Sequence, residues 1–78
     1  MRIISIQDEN PKRRGTEYIN LDRVEAVRKD KPLNENAKYR ISIVTFTADK
    51  IREYEYNTEE KRDEVYENIV DAWVGKNG

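Results

Sequence analysis

Glu59, Asp63 and Glu67 recur at four-residue spacing, and Glu60, Glu64 and Asp71 flank them. On a helix of 3.6 residues per turn this spacing lines carboxylates along one face. Such a row can exchange protons or hold Mg²⁺. It can also imitate the phosphates of a nucleic acid and occupy a basic groove on another protein, as a phage-encoded inhibitor of a host protein would. Lys61 and Arg62 interrupt the run. A solvated helix face explains the same residues and is preferred to catalysis.

A second group has the opposite character. Arg40, Arg52, Tyr54 and Tyr56 can share one face of a sheet, and single-stranded nucleic acid stacks on tyrosines bordered by cations. The basic triplet Lys12, Arg13 and Arg14 adds a loop able to meet phosphate. Against this stands a net charge of -1, since phosphate neutralisation supplies most of such affinity. The tyrosines can equally cover a core beneath a helix, with their hydroxyls reaching water.

The usual parts of an enzyme are missing. The chain has no His and no Cys, so it lacks the commonest general base, the thiol nucleophile and the usual zinc ligands. Ser5 and Ser42 fall in predicted strands with no base nearby in the sequence. Gly15, Gly75 and Gly78 do not form a phosphate-binding loop. No catalytic residue, metal ligand or cofactor is assigned.

The carboxylates belong to a C-terminal helix of about residues 58–74. Val65, Tyr66, Ile69, Val70, Trp73 and Val74 form its apolar stripe. Asn57 or Thr58 can cap it, Glu60 stands at capping-box spacing from Asn57, and Gly75 can end it. Upstream, all strands fall within residues 1–56. Arg2 to Gln7 is a strand apolar enough to lie inside a sheet, with Ile4 and Ile6 on one face and Ile3 on the other. Asp8 to Gly15 is a loop. Thr16 to Asn20 is a second strand, Leu21 to Arg23 a tight turn or a single helical turn, and Val24 to Lys29 a third strand. Asp30 to Asn36 is a second loop, in which Leu33 either tucks onto the core or is exposed.

Lys38 to Ala48 is the longest predicted strand. Tyr39, Ile41 and Ile43 share one face while Val44, Phe46 and Ala48 share the other, a change of phase that a bulge in this strand would produce. Ala48 to Lys50 is a hairpin connection. Ile51 to Tyr56 returns as the last strand, and Glu53 and Glu55 on one of its faces mark a wetted side or an exposed sheet edge. The expected fold is α+β, with a curled antiparallel sheet of about five strands packed against one C-terminal amphipathic helix. A single domain spans 1–78.

The segment Tyr18-Ile19-Asn20-Leu21-Asp22-Arg23-Val24, the hairpin at Ala48-Asp49-Lys50 and the helix from Asn57 together resemble the pleckstrin-homology-like architecture of very short bacterial and bacteriophage proteins. The chain is also similar to short proteins of flagellar operons, in which Tyr-Ile-Asn precedes Pro-Asp; here Leu21 stands in place of that proline. The resemblance implies a binding scaffold and names no partner.

Only 36% of the 78 residues are hydrophobic and 40% are charged, so the core must be small. Charge is unevenly spread: 12 Lys/Arg against 8 Asp/Glu up to Arg52, then 3 against 8 from Glu53 onward. An acidic helix over a mildly basic sheet makes a dipolar surface that can steer a charged partner. The longest apolar runs are too short to span a bilayer, and Met1 to Gln7 is too short for a signal peptide. The expectation is a cytoplasmic, non-enzymatic module that binds a protein and not a membrane. Nucleic-acid binding and a homodimeric structural role are the alternatives.

Overall fold

The computed structural model describes residues 2–13, 15–30, 32, 34, 36–46 and 51–75. Its elements are β1 (Ile3–Ile6), β2 (Glu17–Asn20), a 3-10 turn (Leu21–Arg23), β3 (Val24–Asp30), β4 (Tyr39–Thr45), β5 (Arg52–Tyr56) and α1 (Glu59–Val74). All neighbouring strands are antiparallel, but they form two sheets: a ribbon of β1 and β2, and a meander ordered β3-β4-β5. The expected single sheet is corrected accordingly. Alternation of side chains reports which residues face the core, and it is silent on which strands pair. For the same reason β1 lies at the edge of a two-stranded ribbon and not inside a sheet, despite its three isoleucines.

The bulge sits on β3. Val24 pairs with Thr45 and Ala26 with Val44, so Glu25 is the extra residue. It rotates β3 enough for Val24 and Val27 to face one side, although they are three positions apart. β4 ends at Thr45, and Phe46 beyond it is exposed, so the change of phase read in this strand is the strand's end.

Cross-strand pairs Tyr39 with Tyr56, Ile41 with Tyr54 and Ile43 with Arg52 define the inner face of the meander. α1 lies across it through Ile69, while Ile6, Ile19 and Leu21 close the core from the ribbon side. Val65, Tyr66 and Trp73 are half-buried against this core, but Val74 is exposed and drops out of the stripe. Thr58 is the N-cap, its hydroxyl oxygen accepting from the Lys61 amide at 3.1 Å. With the cap at Thr58, the third helical position is Lys61, so no capping box forms with Glu60. Gly75 ends the helix at φ 74°, a left-handed conformation that glycine adopts without a Cβ penalty.

The outer edge of β5 is covered. The Glu55 amide donates to Asp8 Oδ2 at 3.1 Å and the Glu9 amide to the Glu55 carbonyl at 2.8 Å. The Asn57 amide donates to Glu9 Oε1 at 3.0 Å, and the Arg13 guanidinium donates to the Glu53 carbonyl. Residues 8–13 thus strap the ribbon to the meander and close the edge expected to be open. Leu33, the Ala48 to Lys50 hairpin and the chain after Gly75 lie outside the described residues.

Candidate functional site

The helix carboxylates do not share one environment. Asp63 turns toward the sheet, accepting from Arg62 Nε at 2.7 Å and lying 3.7 Å from Lys29 Nζ. Asp71 is half-buried. Glu59, Glu60, Glu64 and Glu67 are exposed, with Lys61 Nζ 3.8 Å from Glu64. Glu59, Asp63 and Glu67 therefore do not form one continuous outward ladder: Asp63 is drawn off by two cations. Among the described residues, no three His, Cys, Asp or Glu side chains converge as a metal site.

Arg62 explains the asymmetry. It is buried, stacked 5.5 Å from the centre of the Tyr39 ring, and donates to the Asp30 carbonyl at 3.0 Å. A guanidinium tolerates this position because its planar fork is weakly hydrated and satisfies carbonyl, carboxylate and ring at once. One of the helix's two basic residues thus serves the core side, and the outward face keeps its negative charge. Periodicity placed Arg62 among the solvated residues; its distance of three residues from Val65, on the buried stripe, was the available signal.

The basic group is dispersed. Tyr54 and Tyr56 are only 1% and 0% exposed and lie beneath α1 and the strap, so neither offers a stacking face. Arg52 shares their side of β5 and pairs with Glu17. Arg40 lies on the opposite face, 3.3 Å from Glu53 Oε2. Lys12 is exposed; Arg13 is tied to Glu53 and stands 5.8 Å from the centre of the Tyr54 ring. Arg14 lies outside the described residues. The expected shared face of Arg40, Arg52, Tyr54 and Tyr56 is not assembled, because strand alternation separates Arg40 from the other three and core packing covers the rings.

No protein-family model matches the chain, and neither a curated protein nor a solved structure shows detectable similarity to it. None of the described helices is long and apolar enough to cross a membrane.

Two further features bear on recognition. Arg2 donates from Nε to Asp22 Oδ1 at 2.9 Å and from Nη1 to the Trp73 carbonyl at 2.8 Å, tying the start of β1 to the end of α1. The Asp22 carboxyl is held below its ordinary range, chiefly by that side-chain hydrogen bond. On the outer face of the ribbon, Ile3 is 54% and Tyr18 68% exposed. Sequence alternation set Ile3 apart from Ile4 and Ile6 and left open which face is wetted.

Proposed function

We propose that this chain is a small, non-enzymatic protein-interaction module that presents the outer face of α1 to a basic surface on a partner protein. The observation that carries the reading is the inward turn of Arg62, which leaves Glu60, Glu64 and Glu67 exposed with Lys61 as the helix's remaining outward cation. A field of one sign on one face steers association and penalises acidic partners. Proteins whose own ligands are polyanions offer such basic surfaces, consistent with a role as a modulator or inhibitor.

The test is a pull-down from bacterial lysate with nuclease treatment, at low and high salt, comparing the parent chain with Glu64→Lys/Glu67→Lys. Both positions are exposed in mid-helix, where the reversal leaves the core intact. The expected result is a protein retained despite nuclease at low salt, released at high salt and lost by the variant. Equal retention by the variant, or recovery of nucleic acid alone, would overturn the reading.

A further inference from the structure

We draw no further inference here: the strongest candidate, the cleft of about 700 Å³ between the start of α1 and the loop before β4, is a helix N-terminus whose buried Arg62 is already held by Asp63, the Asp30 carbonyl and the Tyr39 ring, so nothing else there points to a ligand.

Discussion

Tyr54 and Tyr56 are neighbours on one face of β5 and nearly equally buried, yet their hydroxyls differ. Tyr56 donates to the Gln7 carbonyl at 3.3 Å, whereas the buried Tyr54 hydroxyl has no hydrogen-bond partner within bonding distance among the described residues. Removing a satisfied buried hydroxyl costs about 1 kcal/mol, and removing an unsatisfied one costs nothing or stabilises. Tyr56→Phe should therefore lower neutral-pH stability by about that amount, and Tyr54→Phe should leave it unchanged or raise it, as read from urea denaturation. Burial, with Glu17 second, pushes the Tyr54 hydroxyl up to about 12; burial raises Tyr56 as well, with Asp8 adding to it. An unfolded tyrosine ionises near pH ~10. Above that pH the unfolded chain releases protons that the folded chain retains, so stability falls as pH climbs from about 10 toward 12. Tyr54→Phe should flatten that fall. In the sequence, alternation put both rings on one face but did not say whether α1 or water covered it, so the stacking and core readings stayed open there.

At the level of elements, the end of α1 is stabilised from a distance. No basic residue lies in its last turn, where the backbone carbonyls carry partial negative charge; Arg2 supplies the cation from the opposite end of the chain. Arg2→Ala should cost about 1 kcal/mol through this contact, less at high salt. It should also let the Asp22 carboxyl rise toward its ordinary range, a change measurable by NMR titration. The lowered value means that the Arg2–Asp22 pairing favours the folded chain above the ordinary aspartate range, and that this part is lost as pH falls below that range through the depressed folded value. An unmoved Asp22 titration would show that the pairing does not persist in solution. The limits of α1 were legible in Thr58 and Gly75 because caps are local. The strands were legible through alternation. The 3-10 turn was foreseen in outline at Leu21 to Arg23, and the Asn20 side chain accepting from the Asp22 amide is its local cause. The Arg2 contact was not legible, since it joins groups 71 positions apart.

For the whole molecule, two small sheets share one modest core, and the strap at residues 8–13 joins them along β5. Its central group is Asp8, whose side chain is 5% exposed, accepts from the Glu55 amide and lies 3.7 Å from Arg13. The strap's acids and bases read in the sequence as an ordinary solvated loop, because pairing to a distant strand edge leaves no periodic mark. Asp8→Ala removes a charged acceptor from a part-buried amide, a change worth about 2 kcal/mol and a large share of what so small a domain possesses. It also uncovers a strand edge, and uncovered edges pair with other chains. The variant should therefore melt at lower temperature and self-associate as concentration rises, while an unfolding effect alone would give the first without the second. Hydrogen exchange separates the two: the Glu55 amide should lose protection in the monomeric variant and regain it in the associated form. A variant that loses stability but keeps Glu55 protected at low concentration would show that β5 is covered by something other than the strap.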